Sequence, residues 1–159
     1  MKILTQVGNV LFSLIRIGLG ISWLEQGIFK LQANFTMSGL TEAIASNTVT
    51  PDWYKTFMVY FVQPNTALFN ILIPWGEILA GIGLITGILT LPALSGALFM
   101  NINYWLSNMI YIYPLQLLIA VILLMTMKYA SSFSLTNLYF YLSDRMKRKK
   151  ESIRSIQQR

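Results

Sequence analysis

Apolar residues fill four stretches of this chain, 3–31, 68–90, 92–107 and 114–127, and polar and charged residues collect between them. The second stretch carries one charge, Glu77, near its middle. At 1.5 Å per helical residue it is long enough to cross the ~30 Å hydrocarbon layer of a bilayer. The first is interrupted by Arg16, Glu25 and Lys30; the fourth is closed by Lys128. Pro92 opens the third stretch, where a fixed φ suits a first helical turn. The third and fourth stretches are short, so they extend into their turns or lie where the bilayer thins. Between the first two, residues 32–65 predict a short helix at 38–45. A second helix is predicted at 51–62, opened by Thr50-Pro51-Asp52 and rich in aromatics (Trp53, Tyr54, Phe57, Tyr60, Phe61). Residues 133–142 (FSLTNLYFYL) predict an interfacial helix after the fourth span. The expected fold is all-α: an integral membrane four-helix bundle at 1–143, with an outer helical segment between spans one and two and a cytoplasmic interfacial helix. A basic cytoplasmic tail follows at 144–159.

Composition agrees with that class. The chain is 55% hydrophobic and only 11% charged, where soluble domains hold about 25% charged residues. It contains neither Cys nor His, which removes disulfides, thiol redox chemistry, Cys-ligated zinc or iron–sulfur clusters and His-ligated haem from consideration, so no metal site is expected. Of the net charge of +6, the tail at 144–159 accounts for +5 through Arg145, Lys147, Arg148, Lys149, Lys150, Arg154 and Arg159 against Asp144 and Glu151. A basic run directly after apolar helices reads as an inside anchor on anionic headgroups rather than a nucleic-acid site. With Lys2 it places both termini in the cytoplasm, and the net −1 segment at 32–65 suits the outside. The N-terminal run is read as a retained helix, because Arg16 interrupts it and no small-x-small cleavage pattern follows.

Ionisable residues inside apolar spans are candidate functional groups. Arg16, Gly20, Trp23, Gly27 and Lys30 recur on one helical stripe, which predicts a face turned to protein or water. Gly18, Ser22, Glu25 and Gln32 fall on the opposite side. In the second span Gly76, Ala80, Gly83 and Gly87 form a small-residue stripe suited to close helix packing, with Glu77 beside it. Arg16 and Glu77 each lie near the middle of an antiparallel span, so they are expected at one depth. They would be either a structural pair fixing register or a polar pocket for a headgroup or proton. Asn101, Asn103 and Asn108 of the third span are expected to face the bundle as interhelical glue. If a ring ligand binds, Asn103 with Trp23 or Trp75 would offer a hydrogen bond and an aromatic wall. Glu25 and Lys30 would form an outer entry point.

Four segments in this order resemble the DoxX/DoxD family of small bacterial membrane proteins: RIGLGISWLEQGIFKL at 16–31, DWY at 52–54, WGEILAGIGLITGILT at 75–90 and ALFMNINYWLS at 97–107. The resemblance implies a four-helix bundle in the bacterial cytoplasmic membrane and a link to quinones, since DoxD is named as a subunit of a thiosulfate:quinone oxidoreductase. The expected function is an accessory or quinone-facing subunit of a membrane redox system. Its cofactor would be quinone, Glu77 the proton acceptor and Arg16 its charge partner. Its partners would be the lipid bilayer and a soluble or membrane redox protein. A non-catalytic scaffold or assembly factor, binding a partner through the outer aromatic segment, is the alternative. A transporter would need a homo-oligomer to make room for its pathway.

Overall fold

The computed structural model describes the backbone of residues 2–157 and the side chains of 3–148. Arg159 of the basic tail lies outside the described residues, as do the side chains of Lys2, Lys149, Lys150, Glu151 and Arg154. Among the described residues every regular element is helical: α1 (Lys2–Gln32), α2 (Met37–Ser46), α3 (Asp52–Phe57), α4 (Thr66–Thr86), α5 (Thr90–Leu106), α6 (Tyr113–Met125), α7 (Met127–Ala130) and α8 (Leu135–Gln157). A π-helical turn, Met58–Val62, and a 3₁₀ turn, Gln63–Asn65, join α3 to α4, so Asp52–Thr86 is one helical path. Pro64 supplies the physical reason for the irregular turns, because it has no N–H to continue the α-helical ladder. The sequence pattern predicts two elements here, with a break after Val62.

Ile3–Gln32 and Asp52–Thr86 are long and apolar enough to cross a membrane, and Tyr113–Met125 is a shorter apolar helix. Large apolar side chains stand exposed along them, among them Leu14, Ile21, Ile71, Leu79 and Leu118. A surface of this kind is suited to lipid rather than water.

Four helices close a ring in which α1 packs on α4, α4 on α5, α5 on α6, and α6 back on α1. Leu19 and Trp23 of α1, Leu84 of α4, Leu94 and Tyr104 of α5, and Leu123 of α6 fill its centre. A second cluster, Met37, Ile44, Tyr54, Met58 and Val62, closes one end of the ring with the α2–α3 segment. α8 begins against the other end, where Thr136 Oγ1 donates to the Gly87 carbonyl at 3.0 Å. Its Tyr139, Phe140, Tyr141 and Met146 are exposed.

The α1–α4 contact is the tightest in the ring. A Cβ added at Gly20 would lie 2.9 Å from the Gly81 carbonyl oxygen, one at Gly27 2.8 Å from the Pro74 oxygen, and one at Gly81 2.7 Å from the Leu24 nitrogen. All three obstacles are backbone, which cannot turn aside. On α4 this contact falls to Gly81, one position off the predicted small-residue stripe. Gly81 faces α1, Gly76 and Gly83 face Met100 and Ala93 of α5, and Gly87 is the left-handed C-cap of α4 at φ 71°.

These contacts predict opposite responses at two glycines of the α1–α4 pair. Gly81→Ala is expected to lower stability in detergent by ~1–3 kcal/mol, because the helix backbones must separate. Gly18→Ala, where nothing lies within 4 Å of the added atom, is expected to be neutral or to gain up to ~1 kcal/mol of helix propensity. Thermal unfolding followed by circular dichroism checks both, and equal effects would contradict the α1–α4 contact.

Candidate functional site

The glycine contacts fix which charges meet. With Gly20 opposite Gly81 and Gly27 opposite Pro74, Lys30 lies about one turn beyond the level of Glu77, within reach of its long side chain, which points back toward the helix N-terminus. Lys30 Nζ forms an ion pair and hydrogen bond with Glu77 Oε1. It also donates to Tyr104 Oη at 3.1 Å, and Tyr104 Oη donates to Glu77 Oε1 at 2.6 Å. The three groups make a closed, buried network in which each charge is compensated. The ammonium is also ringed by π-faces, 4.6 Å from the Tyr104 centroid, 5.7 Å from Phe35 and 6.0 Å from Tyr113. Trp23 stacks on Tyr104 at 6.4 Å, and Tyr104 lies 4.3 Å from Tyr113. Among the described residues Glu77 Oε2 and Trp23 Nε1 are buried without a hydrogen-bond partner, so the carboxylate keeps one oxygen uncommitted.

The expected Arg16–Glu77 pair is not formed. Arg16 lies fourteen residues before Lys30, roughly 21 Å along the helix. It donates from Nη2 to the Phe133 carbonyl at 2.8 Å and packs against Gly87. The expectation took the middle of the apolar run as the middle of the bundle, but α1 begins at Lys2 and its first turns extend beyond the part that packs on α4. Lys30 is likewise not an outer entry group but the buried partner of Glu77, whereas Glu25 is exposed on the opposite face and takes no part. The predicted stripe Arg16, Gly20, Trp23, Gly27, Lys30 is buried throughout. Trp75 is half-exposed and does not reach the network.

Beside the network lies a cavity of about 320 Å³. Its walls are apolar, from Met58 and Val62 of the π-helical turn, Phe69 of α4 and Met100 of α5, and Gly96 opens space on one side. At one end Tyr54 Oη contacts Asn103 Oδ1 at 3.2 Å and Ser107 Oγ at 3.4 Å. Tyr104 lines the same cavity, and through it the cavity touches Glu77 and Lys30. Asn103 is thus at the cavity wall rather than acting only as glue. Asn101 is buried with neither side-chain atom hydrogen-bonded. The sequence pattern does not single out Tyr104, Tyr113, Tyr54 or Gly96. The available signal was the buried face Ala97, Asn101, Tyr104 at helical spacing.

The chain belongs to the DoxX family, whose model matches residues 11–109. That match covers α1 from Leu11 through the end of α5 and so includes Lys30, Glu77 and Tyr104. Searches of curated proteins and of solved structures return no match.

A buried ion pair loses most when one member is removed. Lys30→Met or Glu77→Leu alone is expected to cost ~3–5 kcal/mol, and the double change less than either sum would give. Arg16→Gln combined with Glu77→Leu is expected to be additive within about 0.5 kcal/mol, the behaviour of separated sites. A double-mutant cycle of unfolding in detergent measures both, and coupling of Arg16 rather than Lys30 to Glu77 would reverse the assignment.

Proposed function

We propose that this DoxX-family chain is a four-span protein of the bacterial cytoplasmic membrane that binds a quinone in the cavity beside Tyr104 and serves a membrane redox system as its quinone-facing or accessory subunit. One observation carries the reading: an apolar cavity of about 320 Å³ whose few polar groups adjoin a buried Lys–Glu–Tyr network. Small-molecule sites have this character, with volumes from about 300 Å³ upward, apolar walls and a few convergent polar groups. Tyr54 Oη or the Asn103 amide would hydrogen-bond a ring carbonyl, and the apolar walls would hold the ring. Conversion of quinone to quinol takes up electrons and protons in equal number. The electrons come from a partner redox protein. Protons reach the cavity through the Tyr104 hydroxyl, which is already hydrogen-bonded to Glu77. Lys30 takes the place in this scheme that Arg16 holds in the sequence-based expectation, keeping Glu77 charge-compensated in a dry environment.

The four spans would be α1, α4, α5 and α6, the last extended by α7. Both termini would be cytoplasmic and the α2–α3 segment would lie outside. This places the network and cavity in the outer half, with the Arg16 end inside. A scaffold role is the second reading, favoured by one feature: Trp53 of α3 and Tyr60 and Phe61 of the π-helical turn are exposed. They would serve as a partner surface.

Topology is tested with single cysteines at Ser38 and Met146, both exposed. Ser38→Cys is expected to react with an impermeant maleimide in intact cells, and Met146→Cys only after permeabilisation. The reverse pattern would invert every statement about inner and outer ends.

Quinone binding is tested with Gly96→Leu. An added Cβ at Gly96 meets nothing within 4 Å and the residue lines the cavity, so the larger side chain fills the site. Replacing a helical glycine also favours the fold by up to ~1 kcal/mol. Wild-type protein is expected to bind a short-chain quinone saturably in calorimetric titration, and Gly96→Leu to bind at least about tenfold more weakly, ~1.4 kcal/mol, with unfolding unimpaired. Absence of saturable binding by the wild type, alone or with its native redox partner, would leave the scaffold reading.

A further inference from the structure

Arg16 is not used by the site described above, yet it is 1% exposed. Among the described residues its side chain has no acidic partner, and Nε and Nη1 have no hydrogen-bond partner at all. Its one hydrogen bond goes to the Phe133 carbonyl. The adjoining C-terminus of α4 offsets part of the charge, since helix C-termini carry partial negative charge. That leaves a buried cation with unmet donors, an arrangement whose cost falls when an anion is bound.

Arg16 forms part of the lining of a groove of about 700 Å³ between the α1–α4 pair and the start of α8. Its walls are of two kinds. Ser132, Ser134 and Asn137 gather at the α7–α8 turn, where Ser134 Oγ accepts from the Asn137 N–H at 3.1 Å and caps the first turn of α8. Ile17, Ile85 and Leu138 supply an apolar run beside them. Polar donors and a guanidinium next to an apolar channel match a molecule with a phosphate at one end and hydrocarbon at the other. The exposed face of α8 continues the same character. Leu138, Tyr141 and Leu142 are exposed, with Arg145, Lys147 and Arg148 following them.

We propose that this groove is a binding site for an anionic phospholipid, with the headgroup phosphate held by Arg16 and the α7–α8 turn and the acyl chain lying along Ile17, Ile85 and Leu138. The site is separate from the quinone cavity and does not depend on it. The phosphate draws the guanidinium Nε and Nη1 donors toward the groove, and Arg suits this task because its planar fork presents parallel donors. The lipid also ties α8 to the ring, adding to the hydrogen bond from Thr136 to the Gly87 carbonyl.

Native mass spectrometry of the full chain, released from detergent after incubation with phosphatidylglycerol, phosphatidylcholine or inorganic phosphate, tests the assignment. Wild-type protein is expected to retain one phosphatidylglycerol in preference to phosphatidylcholine, and inorganic phosphate in excess should not displace it. Arg16→Gln is expected to weaken retention about tenfold, as loss of a charge-assisted contact does. Because Arg16→Gln could also loosen the fold, Asn137→Asp provides a second arm. Asn137 is exposed and lies in the first turn of α8, where an acid repels a phosphate but favours the helix, which offsets the loss of the surface hydrogen bond from its Nδ2 to the Ser131 carbonyl. It is expected to fold normally and to lose phosphatidylglycerol to a similar extent. Equal retention by wild type and Asn137→Asp, or displacement by inorganic phosphate, would overturn the phospholipid assignment.

Discussion

The close approach of α1 and α4 is the constraint on which the rest depends. Gly20, Gly27 and Gly81 bring the two backbones so near that any side chain at these points would meet a carbonyl or an amide nitrogen. Helix association in lipid draws on this kind of packing, since hydrocarbon tails supply no hydrophobic force between helices. The contact also fixes register. Once Gly20 lies against Gly81, Arg16 comes to Gly87 and Lys30 lies close enough for its side chain to reach Glu77. The two buried cations of α1 are thereby sent to opposite ends of the ring, one to a carboxylate and one to a helix terminus.

The separation gives the two ends different chemistry. At the Glu77 end the charge is cancelled within a network of three side chains, enclosed by aromatic rings and touching an apolar cavity through Tyr104. Such a pair is costly to bury and contributes little net stability over well-packed apolar residues. Under the proposed function, its place beside a cavity serves proton transfer rather than stability. At the Arg16 end the guanidinium, among the described residues, donates to a carbonyl alone and borders an open groove. That chemistry suits an anion arriving from outside the chain.

Much of the helical layout was legible because apolar runs and helical spacing report directly on local structure. The expected helix at 38–45 appears as α2, the third span as α5, and the stripe from Arg16 to Lys30 is buried as its spacing requires. The charge pairing was not legible. Depth in a sequence is counted from the ends of an apolar run, whereas depth in the fold is set by interhelical contacts, and α1 is longer than its packed part. The small-residue stripe misled for a related reason: Gly81, one position off that stripe, carries the contact with α1. The cavity could not be read at all. It needs the π-helical turn before Pro64, the space left by Gly96 and the α2–α3 segment folded over both, and no single helix announces their convergence.

The central claim is that Glu77 and the cavity act as one unit through Tyr104. Infrared difference spectroscopy of the purified protein, recorded with and without a short-chain quinone, tests it most directly. The account predicts a perturbed carboxylate band on quinone addition that disappears in Glu77→Gln and also in Gly96→Leu, where the carboxylate is intact but the cavity is filled. A carboxylate signal that survives in Glu77→Gln, or one unaffected by filling the cavity, would contradict it.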